Sequence, residues 1–122
     1  MEIKYKIWLE NKGEVIAGNG KISLLKMIDE LGSIQKAAEK MGLSYRHAWG
    51  MIKKMERRAG FKLIRTAVGG KEGGGANLTA RGQELVQKYL ALRTNLDKFI
   101  KQKFNEEFKS KAPKAISQLS RI

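Results

Sequence analysis

The fold is decided by residues 33–59, which read SIQKAAEKMGLSYRHAWGMIKKMERRA. This segment contains two stretches with apolar residues at helical spacing, separated by only a glycine and a leucine. Ser33 and Ser44 stand immediately before the two stretches, where a serine hydroxyl accepts a hydrogen bond from a free backbone N–H of the first helical turn. The segment therefore predicts two short helices joined by a tight turn, in which Gly42 can take a positive φ angle.

The second predicted helix, residues 44–59, has two chemically different faces. One face is apolar, with side chains that recur at spacings of four, three and four: Ala48, Ile52, Met55 and Ala59. The other face is basic and aromatic: Tyr45, Arg46, Trp49 and Lys53. We interpret the pair of helices as a helix-turn-helix that buries the apolar face and presents the other face to the major groove of DNA.

The residue types on this outer face indicate how a duplex would be recognised. The Arg46 guanidinium is the best candidate to contact a guanine with two hydrogen bonds. Tyr45 and Trp49 are expected to touch thymine methyl groups or to pack on the backbone, although Trp49 could instead belong to the protein core. Lys53 and Lys54 are expected to contact phosphates, which position a protein without specifying a sequence.

A glycine-rich loop follows the second helix and lies between two short predicted strands. Residues 61–65 alternate in polarity and predict one strand, and residues 77–78 can pair back with it. The loop, residues 67–76, contains five glycines, which allow a close backbone approach to phosphates, and Lys71 supplies charge. It matches neither the P-loop pattern nor the dinucleotide-binding glycine pattern. We interpret it as the wing at the tip of a β-hairpin, with a flexible linker as the alternative.

The predicted DNA-binding residues come from both helices and from the wing. They are Ser33, Gln35, Ser44, Tyr45, Arg46, Trp49, Lys53, Lys54, Gly70, Lys71, Gly73 and Gly74. We assign no catalytic residue, no metal site and no cofactor. The chain has no cysteine and a single histidine, His47, which excludes thiolate and multi-histidine metal sites. Because the acidic residues are scattered as well, we do not expect an enzyme.

The flanking segments complete the predicted architecture. Residues 3–9 alternate between apolar and polar side chains and predict a strand, which returns at residues 15–17 after a turn. Residues 24–31 predict a helix, and Thr79 is expected to cap a further helix that continues to about Phe108. The predicted fold class is mainly α with a small β content (α+β): a winged helix-turn-helix with an N-terminal β-hairpin and a long C-terminal helix.

The long C-terminal helix carries an apolar seam. Its members step by four, three, four and three residues: Leu85, Tyr89, Leu92, Leu96 and Phe99. A single small domain would not bury all of this surface, and the surplus predicts a homodimer that sets two recognition helices about one DNA turn apart. The alternative is that the helix covers only the sheet of its own chain.

The charge of the chain is strongly positive and uneven. Lys and Arg number 25 against 12 Asp and Glu, a formal net charge of +13, which favours nucleic acid first and an anionic membrane second as a partner. Residues 44–76 hold eight basic and two acidic side chains, whereas residues 1–43 hold seven and six. We therefore hypothesise that the N-terminal third is scaffold and that the remainder contains the binding face. A solvated basic surface without a specific partner is the alternative.

The sequence also predicts a location in the cell. No run approaches the roughly 20 consecutive apolar residues that a membrane helix needs. The N-terminus, MEIKYKIWLE, alternates apolar and charged residues and is not a signal peptide. We therefore expect a cytoplasmic, nucleoid-associated protein with no membrane partner.

Three segments of the chain resemble one known family of regulators. They are GSIQKAA at residues 32–38, MGLSYRHAW at residues 41–49 and GGKEGGGANLT at residues 69–79, followed by Gly82. Together, over residues 20–100, they look like the N-terminal winged helix-turn-helix domain of the molybdate-responsive ModE regulators. LysR-type regulators have a similar N-terminal arrangement without this glycine loop. The resemblance implies a dimeric transcription regulator that binds a palindromic operator.

One part of the ModE architecture is not expected in this chain. Full-length ModE proteins carry C-terminal molybdate-binding domains, and we expect this chain to lack one, so that either a separate effector-sensing protein receives the signal or the chain binds DNA constitutively. We predict a DNA-binding domain over residues 1–108 and a basic tail over residues 109–122. The predicted function is that of a ModE-type transcriptional regulator, and the alternative is an architectural chromatin-type protein that binds double-stranded DNA with little sequence preference.

Overall fold

The structure is a computed structural model that describes residues 1–67 and 75–109. Four helices and two antiparallel hairpins make up the described chain, which confirms a mainly helical fold with a small β content. In chain order the elements are β1 (Trp8–Asn11), β2 (Glu14–Gly18), α1 (Asn19–Leu31), α2 (Ile34–Lys40), α3 (Tyr45–Ala59), β3 (Ile64–Thr66), β4 (Ala76–Leu78) and α4 (Ala80–Phe108).

The two central helices begin where the sequence predicts. The Ser33 Oγ accepts a hydrogen bond from the Lys36 N–H at 3.1 Å, and the Ser44 Oγ accepts one from the His47 N–H at 3.0 Å. Gly42, in the turn between α2 and α3, has a φ angle of 70°, a left-handed conformation that glycine adopts without steric cost. The cap residues and the turn glycine therefore set the geometry of the helix-turn-helix.

The N-terminal hairpin is shorter than the alternating pattern predicts. Residues 3–7 are not part of a strand, and β1 begins only at Trp8, which pairs with Gly18 at the end of β2. Because the chain turns into α1 at Asn19, no strand residues remain on the other side to pair with residues 3–7. The predicted strand over residues 3–9 is therefore wrong in its first part, and the predicted return strand is confirmed.

Residues 6–89 form one compact unit with its own core. Helices α1, α2 and α3 pack in sequence, while β4 packs on α1 and β2 packs on α3. The largest fully buried side chains of this unit are Tyr89, Ile22, Leu24, Leu25, Ile28, Ile52, Met55 and Leu63. The core is thus built from the inner faces of α1 and α3, and it leaves the other face of α3 outside.

The base of the wing hairpin is held by close contacts with α1 and α4. The Asp29 Oδ1 accepts a hydrogen bond from the Leu78 N–H at 3.0 Å, and the Gly32 carbonyl accepts one from the Ala76 N–H at 3.0 Å. A Cβ atom placed on Gly82 would lie 2.4 Å from the Leu63 carbonyl oxygen, so only glycine fits at this contact. These contacts fix β3 and β4, whereas Gly70, Lys71, Gly73 and Gly74 of the predicted wing lie outside the described residues.

A second compact unit contains residues 1–5 and α4 from Leu90 onward. Within it, the Tyr5 hydroxyl donates a hydrogen bond to Asp97, and Arg93 lies 5.1 Å from the centre of the Tyr5 ring. Leu92 and Phe99 of the predicted seam are 47% and 57% exposed. No helix within the described ranges combines the length and apolar character that a membrane crossing requires.

Candidate nucleic-acid interface

Helix α3 separates its apolar and polar sides as the sequence predicts. Ala48, Ile52 and Met55 are buried, and Ala59 is half-buried near the end of the helix. On the opposite side, Tyr45, Arg46 and Lys54 are exposed, while Trp49 and Lys53 are half-buried. The outer face therefore consists of polar and aromatic side chains that are wholly or partly accessible to a partner.

One part of this face is an aromatic row along α3. Tyr45 and Trp49 stack with ring centres 6.4 Å apart and an angle of 11° between the planes. The Lys53 Nζ lies 4.4 Å from the centre of the Trp49 ring, a distance at which an ammonium group is attracted to an aromatic face. The row therefore places the Tyr45 ring, the Trp49 ring and the Lys53 ammonium group beside one another.

Lys53 also links the aromatic row to the base of the wing. Its Nζ lies 3.5 Å from the Glu56 Oε1, while the other carboxylate oxygen of Glu56 accepts hydrogen bonds from the backbone N–H groups of Leu63 and Ile64 at 2.8 and 3.1 Å. Glu56 is 8% exposed, and burial of a carboxylate is tolerated when its oxygens are hydrogen-bonded. A continuous network therefore joins the outer face of α3 to the start of β3.

The other part of the outer face borders a cationic cleft of about 470 Å³. We call this feature the α1–α3 cleft; its lining residues are Lys21, Arg46, His47, Gly50, Met51 and Lys54. Burial, together with the positive charges of Arg58 and Lys54, holds the pKa of Lys21 below its ordinary value. The cleft is therefore a region of positive potential beside the aromatic row.

The predicted residues Ser33, Gln35 and Ser44 lie at the N-terminal ends of α2 and α3. Ser33 is half-buried and Ser44 is exposed, and each uses its oxygen to cap a helix, which leaves the hydroxyl hydrogen free to donate. Gln35 is exposed on α2 and its amide lies 3.4 Å from the Glu39 carboxylate. All three side chains belong to the first turn, or the cap, of the two central helices.

Sequence reasoning missed two contributors to this surface. Lys21 lies in a segment whose charges nearly balance, and tertiary packing, including that of β2 on α3, brings the start of α1 beside Arg46 and Lys54. Glu56 reads as an ordinary surface acid, yet it is buried under the start of β3. Within residues 1–67 and 75–109, no three His, Asp or Glu side chains converge as metal ligands would.

The comparison with known families identifies the class of this helix-turn-helix. The family profile described as "Bacterial regulatory helix-turn-helix protein, lysR family" matches residues 20–83, which include α1, α2 and α3. The chain belongs to this family. The matched range contains the whole α1–α3 cleft and the aromatic row.

Curated relatives confirm the resemblance to ModE. The chain is 40% identical over 89 residues to the DNA-binding transcriptional dual regulator ModE of Escherichia coli K12, a match that covers 73% of this chain and 34% of that protein. It is 38% identical over 94 residues to ModE of Yersinia pestis, covering 77% and 36%. The molybdenum-pterin-binding protein MopB of Rhodobacter capsulatus is 37% identical over 83 residues, covering 68% and 31%. The chain thus spans about a third of the length of these relatives.

Solved structures share the fold at lower sequence identity. The DNA-binding domain of BenM, in a complex with benA site 1 DNA, superposes with a TM-score of 0.54 at 19% identity over 75% of this chain and 97% of that one. The corresponding domain of CbnR in a DNA complex gives a TM-score of 0.53 at 15% identity over 69% and 91%. These structures confirm the winged helix-turn-helix fold.

Proposed function

We propose that this protein is a transcriptional regulator that binds double-stranded DNA by placing the outer face of α3 in the major groove. The observation that carries the proposal is the two-sidedness of α3, which buries Ala48, Ile52 and Met55 and leaves Tyr45, Arg46 and Lys54 exposed. A helix that follows the tight turn of a helix-turn-helix is the element that enters the groove in this class of fold. The family and the DNA-binding relatives support the same assignment.

The side chains of α3 take different roles in this proposal. Arg46 is exposed in the first turn, near the N-terminal end that reaches base edges, and reads a guanine. Tyr45 and Trp49, held in a stack, contact thymine methyl groups or the backbone. Lys54 contacts a phosphate, whereas Lys53 does so only by moving from its place over Trp49. Ser44 donates a hydrogen bond from its hydroxyl group to the DNA backbone.

Helix α2 and the wing are proposed to supply further contacts to the DNA backbone, which position the protein on the duplex. Ser33 and Gln35, at the start of α2, face the phosphate backbone. The wing contacts the DNA backbone through Gly70, Lys71, Gly73 and Gly74. Its base is anchored by the hydrogen bonds of Glu56 and Asp29. Phosphate contacts of this kind fix the register of a protein on the duplex without reading its sequence.

We propose further that the regulator acts as a homodimer on a palindromic operator. Leu92, Phe99 and Phe108 leave 47%, 57% and 64% of their surface exposed on α4, although they are large and apolar. Leu92 and Phe99 are seven residues apart and so share one face of the helix, and large exposed apolar side chains on one face are typical of a protein–protein interface. A two-fold dimer places its two recognition helices on two related half-sites. A separate effector-sensing protein is a further proposed partner.

Competition binding tests the proposal. A pool of random duplexes is enriched on the purified chain, and the enriched duplex then competes with random duplex over a range of salt concentrations. A regulator favours its site by about 10³-fold or more. A ratio near one would contradict the regulator and support an architectural DNA-binding protein, a class that the net charge of +13 also suits. Absence of duplex binding at low salt overturns both.

A further inference from the structure

The α1–α3 cleft contains a cation that lies outside the two helices of the helix-turn-helix. Lys21 stands in the first turn of α1, and it shares the cleft with Arg46 and Lys54 of α3. None of the six residues that line the cleft is acidic. In the described part of the chain, no carboxylate lies within 4 Å of the Lys21, Arg46 or Lys54 side-chain nitrogens, and this sets them apart from Lys53 and Arg58, which are paired.

The N-terminal hairpin contributes to the position of Lys21. Arg58, at the end of α3, donates a hydrogen bond to the Val15 carbonyl at 2.8 Å, and its own carbonyl accepts one from the Asn11 side-chain amide at 2.9 Å. These bonds attach β1 and β2 to α3, and α1 begins directly after β2 at Asn19. Lys21 therefore follows directly after a hairpin that is hydrogen-bonded to the recognition helix.

The electrostatics of the free protein are unfavourable at Lys21. Burial and the charges of Arg58 and Lys54 lower the pKa of its ammonium group. Glu14 lies 3.4 Å from the Arg58 Nε and offsets part of that charge, but it does not reach Lys21. Like charges that are gathered without a counter-ion are relieved when an anion binds between them.

We propose that Lys21 is a DNA-contacting residue that, with Lys54, receives a backbone phosphate of the duplex in the α1–α3 cleft. The inference rests on the proposed function. A helix in the major groove is flanked by two phosphate backbones, and the cleft lies along one edge of α3, where one of these backbones passes. A duplex suits the cleft better than a free anion, because Arg46, His47 and Lys54 are exposed to water, which competes for an isolated ion.

The salt dependence of duplex binding tests this contact. Log Kobs decreases with log salt concentration, and this slope becomes shallower by about 0.9 for each phosphate that the protein no longer neutralises. We expect Lys21→Gln to reduce the slope by about that amount while the order of preference among duplexes is unchanged, and Lys21→Arg to restore it. The matched control is Lys26→Gln, which removes the same charge from the same helix at an exposed residue paired with Glu30.

The outcomes separate this inference from the proposed function. If the wild-type chain binds its duplex and the Lys21→Gln slope equals the wild-type slope, or if Lys26→Gln lowers the slope equally, the phosphate contact is overturned and the regulator assignment stands. If the wild-type chain ignores duplex DNA, both fall. Titration of inorganic phosphate at fixed ionic strength provides the second arm, because a saturable shift of the Lys21 side-chain NMR signal at low millimolar phosphate would assign the cleft to a free anion instead.

Discussion

The Oε2 atom of Glu56, on the recognition helix, lies 2.8 Å from the backbone nitrogen of Leu63, which leads into the wing. The same oxygen lies 3.1 Å from the backbone nitrogen of Ile64. One carboxylate thus satisfies two buried backbone donors and couples the orientation of β3 to that of α3. Its other oxygen faces Lys53, which ties this junction to the aromatic row of the outer face.

Removal of the Glu56 carboxylate is expected to destabilise the domain. Glu56→Ala leaves the Leu63 and Ile64 N–H groups buried without an acceptor, and each such group costs ~1–3 kcal/mol. Glu56→Gln keeps one carbonyl oxygen in place and is expected to cost less. Urea unfolding measures both, with Glu39→Ala as the control because Glu39 is exposed on α2. Equal effects of Glu56→Ala and Glu39→Ala would show that the junction contributes nothing.

A second stability prediction concerns the contact between α4 and the wing base. Gly82→Ala places a methyl group 2.4 Å from the Leu63 carbonyl oxygen, where only backbone movement relieves the clash. We expect a destabilisation of ~1–3 kcal/mol. Gly50→Ala is the matched control, because Gly50 lies in a helix and a Cβ atom there meets no atom within 4 Å. We expect this substitution to raise the free energy of unfolding by ~0.5–1 kcal/mol. Thermal unfolding in which Gly82→Ala is as stable as the wild type would contradict the close packing.

The prediction for Arg46 separates base recognition from phosphate contact. Arg46→Ala is expected to reduce discrimination at one base pair of the site by ~1–3 kcal/mol, because the alanine side chain cannot make the bidentate hydrogen bonds to guanine. Competition between the enriched duplex and single-base variants measures the effect. If binding to all duplexes falls by the same factor, Arg46 contacts a phosphate.

The lowered pKa of Lys21 has a consequence in solution. Replacing Lys54 by glutamine removes one of the positive charges that repel a proton from Lys21, so we expect the pKa of Lys21 to rise in this variant. Burial and the charge of Arg58 remain, and therefore the pKa stays below the ordinary lysine value. NMR titration of the Lys21 side chain checks the direction. An unchanged or lower pKa would place Lys54 too far away to act on it.

The same pKa shift makes the folding stability depend on pH. Because the pKa of Lys21 is lower in the folded chain than in the unfolded chain, the unfolded chain binds more protons between the two values. The contribution of Lys21 to stability therefore increases as the pH rises through that window, and it is least favourable below it. Urea unfolding at several pH values measures this dependence, which Lys21→Gln is expected to remove and the control Lys26→Gln to retain.

The helical part of the fold was accessible from the sequence because its signals are local. The Ser33 and Ser44 caps, the turn glycine Gly42 and the apolar spacing of α3 each act within a few residues, and all are confirmed. The strand prediction over residues 3–9 failed at residues 3–7 because a strand depends on a partner, and the partner ends at Gly18. Alternation alone does not report where the pairing strand stops.

The candidate site likewise has one part that the sequence predicts and one part that it does not. The composition of the outer face of α3 follows from helical spacing, whereas the α1–α3 cleft brings Lys21 and Arg46 together from two different helices and depends on the hairpin that packs on α3. Glu56 was missed for a related reason, since its partners lie in a strand that begins beyond the end of its own helix. The part of the site that helical periodicity does not predict is formed by contacts between different secondary-structure elements.

The outer face of α3 is proposed to meet a duplex, and backbone NMR with a titrated duplex tests this most directly. We predict that the largest chemical-shift changes at low salt fall on the amides of Tyr45, Arg46, Trp49 and Lys54, with Lys21 among the shifted residues of α1. Signals of α3 that stay in place while the duplex is added, or changes confined to α4, would contradict the proposal.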